Sequence, residues 1–124
     1  MEKDLPEYEL SRKIIGLVFG IYNNLGYGLR EKFYQAALEK ELKSNRITFS
    51  RESYGVVKYK GERIGKYFLD FFIEGKIAVE LKVRNEIYQT HVNQLLNYLK
   101  SENIKVGLLL VISKQGVLVK RLVN

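Results

Sequence analysis

The stretch Tyr67–Val83, YFLDFFIEGKIAVELKV, decides the fold of this 124-residue chain. Two apolar, β-branched and aromatic runs flank a short turn with glycine at its centre, Glu74-Gly75-Lys76. Such runs around a glycine turn are typical of a β-hairpin. The pattern therefore predicts two antiparallel strands, at about 63–73 and 76–83, in the middle of a sheet.

The length of the turn sets which residues face each other across the hairpin. A three-residue loop pairs Phe72 with Ala78 and Asp70 with Glu80, and directly opposed residues share a face with Cβ atoms about 5 Å apart. A two-residue loop would mix the apolar and polar faces, so the odd-length loop is favoured. Lys82 lies two residues after Glu80, on the same face. The hairpin thus predicts two carboxylates and one lysine side by side.

Asp70 lies in a strand that reads as apolar on both faces. Phe68 shares the face of Asp70, whereas Tyr67 and Leu69 point to the opposite face. An aspartate in such a setting is costly unless it has a partner. An ordinary ion pair of Lys82 with Glu80 or Asp70 would explain the lysine but not two clustered acids, which repel each other unless a cation bridges them.

The rest of the chain surrounds this hairpin with helices and further strands. Apolar residues at helical spacing predict helices over about 6–24, 30–44 and 88–102. Strands are predicted at about 52–60, 63–73, 76–83, 105–112 and 117–122. The order α-α-β-β-β-α-β-β predicts one mixed α/β (α+β) domain over residues 1–124, with an acidic lead-in over 1–9 and a largely antiparallel meander at its centre.

Two helices add polar residues that face the same problem of placement. Glu31 lies within the apolar stripe of the second helix, where it either belongs to a site or simply stabilises the helix dipole from the first turn. His91, Gln94 and Tyr98 recur at i, i+3 and i+7 on the third helix. They form either part of a site or a hydrogen-bonded helix edge.

The charge and composition limit the chemistry. The chain has 21 Lys and Arg against 14 Asp and Glu, a net charge of +7. Residues 1–9 hold four acids and one base, so the remainder carries +10. This excess predicts either an anionic partner, most commonly nucleic acid, or solubility alone. With no cysteine and one histidine, any metal must be held by oxygen, which favours Mg²⁺ or Mn²⁺.

The beginning of the sequence carries no targeting signal. The apolar stretch 14–22 is too short to span a bilayer, and the residues before it are mainly acidic, unlike a secretory signal. A cytoplasmic protein with no membrane partner is expected.

Three motifs resemble one family of nucleases. Asp70, nine residues and then Glu80-Leu81-Lys82 resemble the D-x(n)-E-x-K signature of the PD-(D/E)xK superfamily, with Leu69 in the place of its proline. The segment Gly28-Leu-Arg-Glu31-Lys-Phe-Tyr34 is similar to the motif that names the GxxExxY family. The segment QLLNYL at 94–99 is similar to another stretch of that family.

The resemblance implies a restriction-endonuclease-like core, a mixed central sheet flanked by helices. It implies metal ligation by Asp70 and Glu80, with Glu31 and the Leu81 carbonyl as further ligands. It also implies a catalytic lysine at Lys82 and accessory roles for Gln94 and Tyr98.

These residues lead to one main expectation and two alternatives. The main expectation is a nuclease that uses Mg²⁺ or Mn²⁺ to hydrolyse phosphodiester bonds in nucleic acid, with DNA as the expected substrate. Its phosphate contacts would come from Arg63, Lys66, Arg84 and Lys100. The alternatives are a binding module on the same fold without turnover and a protein-interaction domain. A homodimer would belong to the protein-interaction reading and is also compatible with the nuclease, since two sites can cut two strands.

Overall fold

The computed structural model describes residues 5–124 as three helices and seven strands. In chain order the elements are α1 (Tyr8–Leu25), α2 (Glu31–Ser44), β1 (Phe49–Arg51), β2 (Tyr54–Tyr59), β3 (Glu62–Phe68), β4 (Phe71–Ile73), β5 (Ile77–Val83), α3 (Gln89–Ser101), β6 (Val106–Ser113) and β7 (Gly116–Val123). The predicted acidic lead-in falls partly on residues 1–4, which lie outside the described residues. No helix within 5–124 has the length and apolar character needed to cross a membrane.

Five strands form one mixed sheet in the order β1-β4-β5-β6-β7. The pairs β1–β4, β4–β5 and β6–β7 are antiparallel, whereas β5 and β6 are parallel and connected through α3. The other two strands, β2 and β3, pair only with each other and form a separate two-stranded ribbon. The mixed α+β class and the predicted order of helices and strands are confirmed.

The predicted strand over 63–73 is wrong in one respect, because it is interrupted at Leu69 and Asp70. There the backbone turns to meet the segment that follows β1: the N–H of Leu69 donates to the Ser53 carbonyl at 2.7 Å. Its first part therefore enters the ribbon as β3, and its second part enters the sheet as β4. The predicted continuous meander is broken at this point, and Phe68 is exposed rather than buried.

The hairpin between β4 and β5 has the predicted register. Ile73 pairs with Ile77 and Phe72 pairs with Ala78, across the three-residue turn 74–76. Gly75 adopts a φ of 63°, a left-handed conformation that glycine accepts without a steric penalty. The register confirms the predicted three-residue turn, and Asp70 lies one residue before β4, on the side of the hairpin that carries Glu80.

The sheet separates two apolar clusters. One face, here called the helix-pair face, contains Ile77, Val79 and Leu81 and packs against α1 and α2. The other, here called the α3 face, contains Ala78 beside Glu80 and Lys82 and packs against α3. Strand alternation fixes this division, since successive side chains point to opposite faces.

Candidate active site

Asp70 and Glu80 meet through the backbone of the central hairpin. The Asp70 carboxylate accepts a hydrogen bond from the backbone N–H of Leu81 at 2.9 Å. In return, the Glu80 carboxylate accepts one from the backbone N–H of Asp70 at 3.3 Å. Each acid is therefore fixed by the main chain beside the other, and the sheet holds the pair in place before any ligand binds.

Lys82 lies beside the buried member of this pair. Its Nζ is 3.8 Å from Oε2 of Glu80, whose side chain is only 2% exposed. Burial, followed by the negative charge of Asp70 and a hydrogen bond with it, raises the pKa of Glu80 to about 8, against the opposing effect of Lys82. The pKa of Glu80 stays raised because the nearby Lys82 does not offset burial and the charge of Asp70.

Tyr67 belongs to the site, although the alternation of the predicted strand placed its side chain on the face opposite to that of Asp70. Its hydroxyl donates to Oε1 of Glu80 at 2.9 Å. Burial raises the pKa of this hydroxyl, and the charge of Glu80 adds to the effect, so Tyr67 stays a proton donor. The interruption of the strand turns Tyr67 toward Glu80. The sequence holds one indication of this role: Tyr67 lies in an apolar run, and a buried tyrosine hydroxyl usually has a hydrogen-bond partner.

Arg51 supports Asp70 from behind and was also missed. Its Nε donates to the Asp70 carbonyl at 2.8 Å, while Nη1 donates to Glu39 on α2 at 2.9 Å. The guanidinium lies 4.3 Å from the centre of the Phe71 ring. Arg51 thereby connects α2 to the break in the strand. No local motif marks it, because its partners are 12 and 19 residues away.

Glu31 reaches the far end of β5. Its carboxylate accepts a hydrogen bond from the backbone N–H of Val83 at 3.0 Å, and its Oε1 is 3.9 Å from the guanidinium of Arg84. It therefore lies at the end of the strand that holds Glu80 and Lys82. Its function as a further metal ligand stays a prediction.

The other named positions of the Gly28–Tyr34 motif shape the loop before Glu31. Tyr34 is fully buried, and its hydroxyl donates to the Gly26 carbonyl at 2.6 Å and accepts from the N–H of Leu29 at 3.3 Å. Gly28 has a φ of 119°, which strongly disfavours other residues. The glycine and tyrosine thus fix the loop, so that α2 begins where Glu31 can reach the sheet.

Gln94 and Tyr98 lie along a groove of about 510 Å³ between α3 and the ribbon. Tyr98 is buried and its ring centre is 5.9 Å from that of Tyr67, whereas Gln94 is exposed at the groove. Gly55 permits the close approach of the ribbon, since a Cβ there would lie 3.0 Å from the Tyr98 ring. The groove therefore borders Tyr67, the residue that contacts Glu80.

His91, at the start of α3, lies near the charged residues at the end of β5. Its pKa is lowered by burial and by the nearby positive charges of Lys82 and Arg84, against the opposing effect of Glu31. The end of β5 is consequently a cationic corner around the single histidine.

The predicted phosphate-binding residues are all exposed. Lys66 lines the groove, and Lys100 lines an adjoining depression on α3. Arg63 lies on β3, and the Arg84 guanidinium stays near Glu31 and donates to the Val83 carbonyl at 2.7 Å. Their contact with phosphate stays a prediction.

The donor chemistry of the acid pair fits a hard divalent cation. Asp70 and Glu80 supply carboxylate oxygens, the ligands that Mg²⁺ and Mn²⁺ prefer, and they lie beside each other on one hairpin. Within residues 5–124 no group of three or more acidic or histidine side chains is arranged to hold an ion. Asp70 and Glu80 are thus the two carboxylates that the described residues place together, and Mg²⁺ usually keeps several of its waters in protein sites.

The sequence profile of the PD-(D/E)XK nuclease superfamily matches residues 8–122, and the chain belongs to this superfamily. Among solved structures, the crystal structure of SSO0001 is similar, with a TM-score of 0.60 and 22% identity over 76% of this chain. The chain spans about half the length of that protein. At this identity the likeness describes the fold. No curated protein matches the chain.

Proposed function

We propose that the protein is a divalent-metal-dependent nuclease that hydrolyses phosphodiester bonds in nucleic acid, with DNA as the substrate. The observation that carries this proposal is the pair Asp70 and Glu80, held beside each other by the backbone of one hairpin, with Lys82 at 3.8 Å from Glu80. Membership of a nuclease superfamily supports the same chemistry. We propose Mg²⁺, or Mn²⁺ in its place, as the cofactor.

Each residue of the site has a defined task in this proposal. Asp70 and Glu80 hold the cation, with Glu31 and the Leu81 carbonyl as further ligands. When bound, the cation polarises the phosphate and lowers the pKa of a water molecule. Lys82 orients the attacking water or stabilises the negative charge that develops on the phosphate. Tyr67 keeps the Glu80 carboxylate in place through its hydroxyl.

The surroundings of the site suit a polyanion. Gln94 and Tyr98 border the groove beside Tyr67, and we propose that they support substrate there. Contacts from cationic side chains to phosphates would hold the nucleic acid and would weaken with salt. We assign these contacts to Arg63, Lys66, Arg84 and Lys100.

The loop before α2 favours the GxxExxY subgroup of the superfamily. Its named residues each have a physical reason to be there: Gly28 for its φ, Glu31 for its bond to Val83, and Tyr34 for its two bonds to the loop. We propose that residues 1–124 act as one nuclease unit of this subgroup. We also propose a homodimer, which would supply one site for each strand of a DNA duplex.

A cleavage screen tests the proposed activity. Linear, nicked, flapped and branched DNA, with a matched RNA set, are incubated with Mg²⁺, Mn²⁺ or EDTA. We expect cleavage of DNA with either metal and none in EDTA. Lys82→Ala should abolish it, while Lys76→Ala, an exposed lysine at the turn of the same hairpin, should cleave at the wild-type rate.

Two results would contradict the proposal. Equal cleavage by wild type and Lys82→Ala would exclude this site as the source of activity. DNA binding without cleavage of any substrate would indicate the alternative, a binding module on the same fold.

A further inference from the structure

The β2–β3 ribbon has one face turned to α3 and one turned away from it. Gly55 pairs with Tyr67, and both lie against Tyr98 of α3. The neighbouring pair, Tyr54 with Phe68, therefore points to the opposite side, because alternate residues of a strand point to opposite faces. The outward side, here called the outer face of the ribbon, begins with two aromatic rings.

Both rings are exposed, and they lie beside each other. Tyr54 is 47% exposed and Phe68 is 57% exposed, and their ring centres lie 5.9 Å apart at a tilt of 56°. Neither ring fills a core, since both are outside the two apolar clusters. Two exposed aromatic rings that lie beside each other are typical of an interaction surface.

Charge identifies the kind of partner. Residues 54–68 contain four bases, Lys58, Lys60, Arg63 and Lys66, against the single acid Glu62. The ammonium group of Lys66 lies 4.4 Å from the centre of the Tyr54 ring. Aromatic faces combined with cations are the chemistry that binds the bases and phosphates of single-stranded nucleic acid.

We propose that the outer face of the ribbon binds unpaired nucleotides, which stack on Tyr54 and Phe68 while neighbouring cations contact their phosphates. In a duplex the faces of the bases are covered by their neighbours, so only ends, flaps and single strands can stack on these rings. This inference rests on the proposed function in one respect, since it gives the same nuclease site its substrate class: nucleic acid with unpaired bases.

The ribbon is continuous with the proposed catalytic site. Phe68 lies two residues before Asp70, and Tyr67 between them contacts Glu80. Lys66 belongs both to the outer face and to the groove along α3 that Gln94 and Tyr98 border. The outer face is therefore joined to the acid pair by consecutive residues of the chain and shares Lys66 with the groove.

Binding measured without cleavage tests the inference. Fluorescence anisotropy in EDTA compares a labelled single-stranded DNA with a blunt duplex of the same sequence. The double variant Tyr54→Ala/Phe68→Ala should bind the single strand about tenfold more weakly or worse, given the contribution of each aromatic stack, and the duplex within about twofold of wild type.

Two control variants separate stacking from a loss of structure. Phe19→Ala removes another ring of similar exposure, 43%, from α1 and should change neither affinity. Tyr54→Phe keeps the ring and should bind the single strand as wild type does. Unchanged single-strand affinity in the double variant, or an equal loss on single strand and duplex, would overturn the inference.

The failure of this inference differs from the failure of the proposed nuclease activity. Wild-type cleavage with no single-strand loss in the double variant would reject the ribbon alone. Single-strand loss in the double variant without cleavage by the wild type would reject the nuclease alone. Light scattering adds a third outcome: a dimer that the double variant dissociates, with single-strand affinity intact, would make the ribbon a self-association surface and overturn the inference.

Discussion

The two faces of the central sheet use the same strands for different purposes. On the helix-pair face, Ile77, Val79 and Leu81 of β5 enter a continuous apolar cluster with α1 and α2. On the α3 face, the same strand presents Ala78, Glu80 and Lys82, and the apolar cluster there is interrupted by a buried carboxylate. Neighbouring residues of β5 therefore have different functions: one packs in the apolar cluster, and the next lies on the face that carries the candidate site.

This difference shows where the chain accepts a cost in stability. An unbroken apolar face gains free energy from burial. Ionisation of a buried carboxyl whose pKa is raised to about 8 lowers the free energy of unfolding. Violations of the packing pattern are expected at functional sites. Changes on the helix-pair face should therefore alter stability with little effect on activity, whereas changes at the polar residues of the α3 face should alter activity.

The largest effect on stability is expected on the helix-pair face. Leu108, fully buried in β6 beside Val79, contacts that cluster. Leu108→Ala should lower the free energy of unfolding by about 2–5 kcal/mol, because it leaves a cavity. Denaturant unfolding measures this loss. The cleavage rate per folded molecule should stay within about twofold of wild type; a tenfold loss at full folding would contradict the division between the faces.

Glu80→Gln should have a smaller effect on stability, and one that depends on pH. Because folding raises the pKa of Glu80 to about 8, its contribution is intact at low pH and is lost as pH rises through that value. In EDTA, the variant should therefore gain several degrees in Tm over wild type between about pH 5 and about pH 9.

Adding Mg²⁺ sharpens the same experiment. The cation should stabilise wild type at high pH, where Glu80 is ionised, and should stabilise Glu80→Gln much less. Thermal scans at both pH values, with and without Mg²⁺, measure this. A difference between wild type and variant that is the same at every pH would show that burial does not strain this carboxylate.

Tyr67→Phe should reduce activity less than the loss of cleavage expected for Lys82→Ala. The variant keeps the ring against Tyr98 but removes the hydrogen bond to Glu80. The loss of one bond to a charged group is worth about 1.5–3 kcal/mol, so kcat should fall about tenfold or more. Tyr59→Phe, on the exposed ribbon, is the control. Equal kcat values for the two variants would remove Tyr67 from the site.

The smallest effect is expected where the ribbon meets α3. A Cβ at Gly55 would lie 3.0 Å from the Tyr98 ring, whereas one at Gly65, across the ribbon, meets nothing within 4 Å. Gly55→Ala should therefore lower the unfolding free energy by about 1 kcal/mol, and Gly65→Ala should not. Reversal of that order in denaturant unfolding would show that the ribbon does not rest on α3.

Much of this arrangement can be predicted from the sequence, because it depends on the pattern of residues within one hairpin. Alternation along β5 assigns both of its faces, and the three-residue turn sets the register that brings Asp70 beside Glu80. The break at Leu69 cannot be predicted, because no glycine or proline marks it in an apolar run. Its cause is tertiary: Ser53 and Arg51 take the backbone hydrogen bonds there.

Tyr67 was misplaced for the same reason. A continuous strand would direct its side chain away from the acids, and only the break turns its hydroxyl toward Glu80. The family motif indicated Glu31 through its sequence, but its contact with Val83 joins positions 52 residues apart. Sequence periodicity predicts neighbours within an element, whereas contacts between elements depend on how those elements pack.

Single-turnover cleavage of DNA by Asp70→Asn tests the central claim most directly. The substitution keeps the size of the side chain and removes the charge that would hold a cation. Compared with wild type and Glu86→Gln, a variant at an exposed acid, we expect a loss of at least about 100-fold in Mg²⁺ with a Tm in EDTA no lower than that of wild type. Cleavage within tenfold of wild type, in protein purified in parallel, would contradict the account.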